Sequence, residues 1–230
     1  MTENIKRYFR GDRISILDVG AAGGAFVKYC KDIGWEAVGY DICEELALRA
    51  KKMFDVDIFT SIEILKRKGK FDVIFLGDTL EHLVNPNKTI SIFREMLSSS
   101  GMIVIFTPTY LNSINYFILN KIYHFLVEKI RLTSKRNLNF ERLGRFNLNN
   151  ASLPPYHIYE FSPKSICFLL RRNGFKIVAV KYTVPIPYSL NRESNIGKVI
   201  NFILRMAKFT AENFYFPRIK TLVIATKHGE

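Results

Sequence analysis

The sequence predicts an α/β fold built on a doubly wound, mainly parallel sheet with helices on both faces. Three observations predict it. Apolar stretches of strand length alternate with helix-length segments from about residue 14 to 106. Two of those stretches, Phe71–Leu76 and Met102–Phe106, are almost wholly apolar, as strands covered on both faces must be. Finally, a cluster of very small residues follows the first stretch, at the point where a parallel sheet receives a ligand.

The elements follow in order. Strands are expected at about 14–19, 36–41, 56–59, 71–76 and 101–106, and helices at about 24–33, 43–53, 61–68 and 87–98. Strands separated by helix-length segments require right-handed crossovers. After Pro108 the rhythm breaks. Ile114, Phe117, Ile118, Ile122, Phe125, Leu126 and Ile130 form one helical stripe, and an asparagine-rich polar stretch, Thr133 to Ser152, follows as a loop or lid. The rhythm returns at Ser162-Pro163, an N-cap and first helical residue, for a helix to about Arg172 that Asn173-Gly174 stops. Phe175–Thr183 and Thr221–Thr226 supply two more strands, and Ile196–Phe209 a second amphipathic stretch. The reading is one domain, 1–230, with helical insertions at about 110–152 and 184–218.

A chain of 230 residues, 48% hydrophobic and 24% charged, is long enough to bury a core and too apolar to be disordered. Cys30, Cys43 and Cys167 form no CxxC pair, so neither a disulfide framework nor a zinc site is expected, and a reducing cytoplasm is the default compartment. No apolar segment follows the N-terminal residues as in a signal peptide, and no run of roughly 18 apolar residues is long enough to span a bilayer. The net charge of +13 is concentrated in two places. Between Lys121 and Arg145 seven cationic residues face two glutamates, and between Arg192 and Lys220 six face two. Such clusters attract phosphates of RNA, anionic lipids or phosphorylated small molecules, or simply solubilise a surface.

The small-residue loop reads Asp18-x-Gly20-Ala21-Ala22-x-Gly24, and an acid, Asp41, ends the second strand 23 residues after Asp18. Small residues let a ligand touch backbone, and a carboxylate at a strand tip can accept from two ribose hydroxyls. The glycines at 20, 23 and 24 do not supply a dinucleotide fingerprint, and no Gly-Lys-Ser/Thr ends a phosphate loop. The loop resembles the first motif of class I S-adenosylmethionine-dependent methyltransferases, in which three alternating glycines are usual and Ala22 takes the middle place. Phe71-Asp-Val-Ile-Phe-Leu-Gly-Asp-Thr-Leu-Glu-His-Leu-Val-Asn-Pro86 resembles the fourth-strand motif of the small-molecule group related to ubiquinone-biosynthesis O-methyltransferases. Pro155-Tyr-His157-Ile-Tyr-Glu-Phe161-Ser resembles a later segment of that group. These matches cover roughly 14–106 and 154–182.

The resemblance implies a Rossmann-like, seven-stranded sheet whose last strand is antiparallel, and S-adenosylmethionine as cofactor. It implies that Asp18, Gly20, Ala21, Ala22 and Gly24 form the cofactor loop, that Asp41 binds ribose and Ile42 packs on adenine. Gly77 and Asp78 would border the methionine end, and Glu81-His82 would face the substrate opening. Asp41 has an alternative reading as a surface cap of the helix from Cys43, and Glu63 one as an adenine contact or a helix start. Transfer from a sulfonium to a hydroxyl needs a base, for which His82 and His157 are the candidates. The alternatives are a backbone-bonded residue at a helix start and a loop-packing residue, and for Glu81 a structural role is preferred to orienting a histidine or contacting the acceptor. No carboxylate–histidine cluster has ligand spacing in sequence, so no metal is expected. The reaction is O-methylation of a small-molecule or glycan/lipid-linked acceptor; an RNA methyltransferase and a non-catalytic cofactor-binding partner are the other readings. The two amphipathic stretches are core, lid or a peripheral contact with the inner membrane face.

Overall fold

A computed structural model describes residues 2–8, 13–109, 157–183 and 220–227, together with 202, 205, 206, 209 and 210. Six α-helices are described: α1 (Thr2–Lys6), α2 (Ala25–Asp32), α3 (Glu44–Phe54), α4 (Ile62–Arg67), α5 (Pro86–Met96) and α6 (Pro163–Arg172). The strands are β1 (Ser15–Val19), β2 (Glu36–Tyr40), β3 (Ile58–Phe59), β4 (Phe71–Gly77), β5 (Leu97–Pro108), β6 (Phe175–Thr183) and β7 (Lys220–Lys227). They form one seven-stranded sheet in the order β3-β2-β1-β4-β5-β7-β6. The ladders from β3 through β5 are parallel, and the sheet turns antiparallel where the last strand enters it.

This order places the site. The chain moves outward from β1 through β2 to β3, then returns to lay β4 on the other side of β1. The crossovers therefore leave β1 and β4 in opposite directions, opening a crevice at their carboxyl ends. Apolar sequence explains the centre: Ile16, Leu17 and Val19 of β1 and Val73, Ile74 and Leu76 of β4 are almost fully buried. Ser15 N–H donates to Asp72 Oδ2 at 3.0 Å, while the Ser98 hydroxyl lies 3.1 Å from Asp72 Oδ1. One carboxylate thus ties β1, β4 and β5 at the edge opposite the crevice.

The helices begin and end for local reasons. Gly24, at φ +75°, precedes α2, and a Cβ there would come within 2.9 Å of the Ala50 and Val56 side chains. Only hydrogen lets α2 and α3 approach this closely. Glu44 and Glu45 sit in the first turn of α3, and Lys51 and Lys52 in its last, in the sense the helix dipole favours. Asn85 caps α5 by accepting from Lys88 N–H at 3.0 Å, with Pro86 as its first residue. Gly174, at φ +75°, ends α6 as its position in sequence predicts, and its N–H donates to Arg171 O.

Helix α1 had no strong sequence signal and adds to the expected elements, and one expectation changes. Strand β5 starts at Leu97, where the sequence pattern extends the helix to 98 and starts the strand only at 101. Leu97 pairs with Phe71 across a register shift, and the Ser98–Asp72 bond holds a polar strand start that apolar periodicity does not register.

Internal contacts divide the chain into two compact units: Met1–Thr107, Lys164–Val180 and Leu222–Glu230 form one, and Pro108–Pro163 with Lys181–Thr221 the other. The first holds the apolar core around Ile16, Val27, Trp35, Val73, Phe75, Val104 and Ile224. In the second, the buried hydroxyls of Thr109 and Thr221 are 2.7 Å apart, and the Tyr159 and Phe161 rings pack at 5.9 Å. Both insertions expected from sequence fall within the segments of the second unit. The stripe 112–132 and the stretch 133–152 lie outside the described residues, as do most of 184–218. Among the described residues, no helix is long and apolar enough to cross a membrane.

Candidate functional site

The crevice at the ends of β1 and β4 gathers most of the sequence candidates. Beyond Val19 the chain leans onto β2, where the N–H groups of Gly20 and Ala21 both donate to Tyr40 O, at 2.8 and 3.1 Å. Gly20, Ala22 and Gly24 then take positive φ of 74°, 44° and 75° in alternation. Glycine is favoured at such positions because a Cβ meets the following carbonyl. Ala22 therefore departs from the usual loop through backbone conformation as much as through bulk.

That strain makes a prediction. The left-handed conformation costs alanine about 1–2 kcal/mol, which outweighs the roughly 0.5–1 kcal/mol of extra chain entropy that glycine loses on folding. Ala22→Gly is expected to raise stability by up to about 1 kcal/mol in urea denaturation. A lower midpoint in the variant would contradict the assignment of strain to this residue.

Asp41 reaches back to the same loop. Its Oδ2 accepts from Ala22 N–H at 2.8 Å and its Oδ1 from Cys43 N–H at 2.9 Å, so it braces the loop and caps the start of α3 together. Each oxygen keeps a further lone pair, so the capping role leaves room for a bound hydroxyl. Beside it Ile42 is 82% exposed, an apolar face open to a ligand. Glu63 lies in the first turn of α4, where the Ser61 hydroxyl donates to it at 3.2 Å, in accord with a helix start. Its charge, with burial and Asp41, raises the Tyr40 phenol pKa, burial being the larger cause.

Asp18 lies at the carboxyl end of β1 and is buried. Burial first, and the Asp41 charge second, push its carboxyl up to about 7. Burial and then the Asp18 charge push the Cys30 thiol up to about 12, so this cysteine stays protonated.

At the end of β4, Gly77 is followed by Asp78 with φ +52°, a second strained residue beside the crevice. Asp78 N–H donates to Phe106 O at 2.7 Å, which fixes the turn against β5. Thr79, which sequence reasoning missed, joins the two strand ends. Its hydroxyl lies 2.9 Å from Val19 O and 3.0 Å from Gly77 O, one proton serving two carbonyls. A Cβ on Gly20 would fall 2.3 Å from that hydroxyl oxygen, so Gly20 is demanded by Thr79 as well as by φ. No pattern in sequence marks a single threonine in this way.

The segment Leu80–His82 is a turn of 3-10 helix, with His82 N–H bonded to Thr79 O and the His82 side chain half-buried. Glu81 is buried, and its Oε2 accepts from the Thr107 hydroxyl at 2.7 Å, in accord with a structural role. A carboxylate oxygen of Glu81 and a ring nitrogen of His82 lie within 4.8 Å of each other. His157 belongs to the second unit, where it is half-buried.

A sequence profile described as a methyltransferase domain matches residues 1–180. The chain belongs to that family. It is a class I S-adenosylmethionine-dependent methyltransferase, and S-adenosylmethionine is its cofactor. This methyltransferase is 31% identical over 103 residues to the ubiquinone biosynthesis O-methyltransferase of Bartonella quintana (strain Toulouse), a match covering 42% of each chain. It is 26% identical over 101 residues to the protein of the same name from Shewanella halifaxensis (strain HAW-EB4), covering 40% of this chain and 42% of that one. The matches thus span less than half the length of these curated relatives. Among solved structures, a Methanosarcina mazei methyltransferase superposes with a TM-score of 0.61 at 16% identity, covering 99% and 98% of the two chains. One from Archaeoglobus fulgidus gives 0.57 at 22% identity, covering 98% and 90%. At these identities the structures establish the Rossmann-like fold. The loop after β1 has open space at Gly23, and Asp41 lies beside exposed Ile42.

Proposed function

We propose that this methyltransferase transfers a methyl group to a hydroxyl of a small-molecule or glycan/lipid-linked acceptor, working on the cytoplasmic side. The observation that carries the reading is the segment Asp78–His82, set at the end of β4 and fastened through Thr79 to the loop after β1. The names of the curated relatives support oxygen as the acceptor atom. In this reading Asp18, Gly20, Ala21, Ala22 and Gly24 hold the cofactor from below, Asp41 and Ile42 hold its nucleoside, and Gly77 and Asp78 border its methionine end. The two insertions are parts of one catalytic domain.

The cofactor supplies a methyl group on a sulfonium, already activated for in-line displacement. The protein then has three tasks: to align an acceptor oxygen, exclude water and remove one proton. His82 is the base in this proposal, with the Thr79 carbonyl bond fixing its backbone; His157 is the second candidate. The β4 end reads Gly77-Asp-Thr-Leu80, without the Asn/Asp-Pro-Pro-aromatic of base-amino methylation, which argues against an RNA substrate.

The test measures transfer of labelled methyl to a panel of phenols and polyprenyl phenols. His82→Ala is expected to lower kcat by about 10²–10⁴ while S-adenosylhomocysteine affinity holds. Unchanged turnover in His82→Ala removes it as base. Methylation of RNA alone, or cofactor binding without any transfer, overturns the small-molecule reading.

A further inference from the structure

The pairing of β1 with β4 runs in register from Ile16 beside Val73 to Val19 beside Leu76. Beyond it the two chains part. Gly20 N–H donates to Tyr40 O on the β2 side, and Asp78 N–H donates to Phe106 O on the β5 side. Thr79 reconnects them just past the ladder. Its hydroxyl donates to Val19 O at 2.9 Å and to Gly77 O at 3.0 Å. Its side chain also lies over Gly20, where a Cβ would come within 2.3 Å of Oγ1 and 2.9 Å of Cγ2. Thr79 therefore bears on the loop both by hydrogen bond and by contact. On its other side, Thr79 O accepts from His82 N–H at 3.0 Å, and Leu80 O from Leu83 N–H at 3.3 Å. A shift of the loop is thus carried through one residue to the backbone of His82.

We infer that Thr79 is a positioning residue for methyl transfer, holding the turn Asp78–His82 at a fixed setting relative to the loop Gly20–Gly24. Strand pairing does not need it, because the ladder is already in register before Thr79 is reached. What its hydroxyl governs is the separation between the loop that holds the donor and the turn beside the acceptor. In-line transfer is steeply sensitive to that separation, since a misplacement of about 1 Å can cost about a hundredfold in rate. The neighbouring Asp78, at φ +52°, fits this role: a strained turn persists where contacts on both sides determine it, here β5 on one side and Thr79 on the other. The inference rests on the reading that this turn borders the site of transfer, and it needs no particular acceptor.

Two variants of the full chain test it: Thr79→Val removes the hydroxyl and keeps the shape, and Thr79→Ser keeps the hydroxyl. Amide hydrogen exchange reads the tether without any acceptor. In Thr79→Val the His82 and Leu83 amides are expected to exchange about tenfold faster, as for one lost hydrogen bond. The amides of α2 are expected to keep their wild-type rates, and Thr79→Ser to stay close to wild type throughout. With the phenol of the panel that is turned over fastest, Thr79→Val is expected to lower kcat by about ten- to a hundredfold. Its S-adenosylhomocysteine affinity is expected to change by about threefold or less, and Thr79→Ser to recover most of kcat. Should Thr79→Val not fold, the wild type provides the test: saturating S-adenosylhomocysteine is expected to slow exchange at His82 and Leu83 by about threefold or more. Wild-type exchange and kcat in Thr79→Val overturn the inference, and so does exchange that rises equally in α2, which marks lost global stability. Exchange at the turn that ignores bound S-adenosylhomocysteine overturns it too. If wild type methylates no phenol of the panel, the small-molecule reading fails, while the exchange measurements still decide the role of Thr79.

Discussion

Asp41→Ala is expected to weaken S-adenosylmethionine binding by about a hundred- to a thousandfold, since hydrogen bonds to a charged group contribute about 1.5–3 kcal/mol each. In the proposed site the carboxylate serves the ribose while it also accepts from Ala22 and Cys43. Alanine removes both functions: the bound nucleoside loses its acceptor, and the strained loop loses its brace. Asp41→Asn separates them. The amide keeps one carbonyl oxygen for one of the two N–H groups but has no charge, so its affinity is expected between those of wild type and Asp41→Ala. Isothermal titration with S-adenosylhomocysteine measures the affinity, and urea denaturation shows how much of the change is lost stability. Wild-type affinity in Asp41→Ala would remove Asp41 from the cofactor site and leave it as the cap of α3.

Asp18 should make stability depend on pH in the direction opposite to the usual carboxylate. Its pKa is about 7 in the folded protein against 3.8 for an ordinary aspartate. Between these values the folded state holds one more proton than the unfolded state, so stability falls as pH rises through this window. Below the window the group contributes no difference, and above it the full cost of a buried charge is present. At about 1.4 kcal/mol per pH unit, the total is on the order of 4 kcal/mol. Asp18→Asn mimics the protonated form and should remove the dependence. Its stability relative to wild type, from urea denaturation, is expected to rise from pH 4 to pH 7 by a few kcal/mol. A constant difference, or one that shrinks with pH, would show that Asp18 is ionised at lower pH than its burial implies.

The parallel half of the sheet was legible because burial on both faces forces near-continuous apolar runs, and a six-residue run such as Phe71–Leu76 is too short for a buried helix. Loop glycines were legible for a related reason, since a positive φ or a close approach restricts the residue to very few types. Helix α5 was legible too: Asn85-Pro86 is a cap and first turn that chain order alone can reveal. The start of β5 was not, because it depends on Ser98 meeting Asp72 from 26 residues away. Nor was the burial of Glu81, which depends on Thr107 meeting it from 26 residues away.

By itself, then, the sequence determined the α/β order of elements, the small-residue loop and the acid at the tip of β2. These are local properties, written in periodicity, side-chain volume and backbone freedom. Only the tertiary structure decided that Thr79 clamps β1 to β4 and that Asp41 both braces and caps. It alone shows that Ala22 sits in a strained conformation and that burial pushes the Asp18 carboxyl up. Each of these depends on distances between residues far apart in the chain, and on the loss of water around them, which no single stretch of sequence specifies.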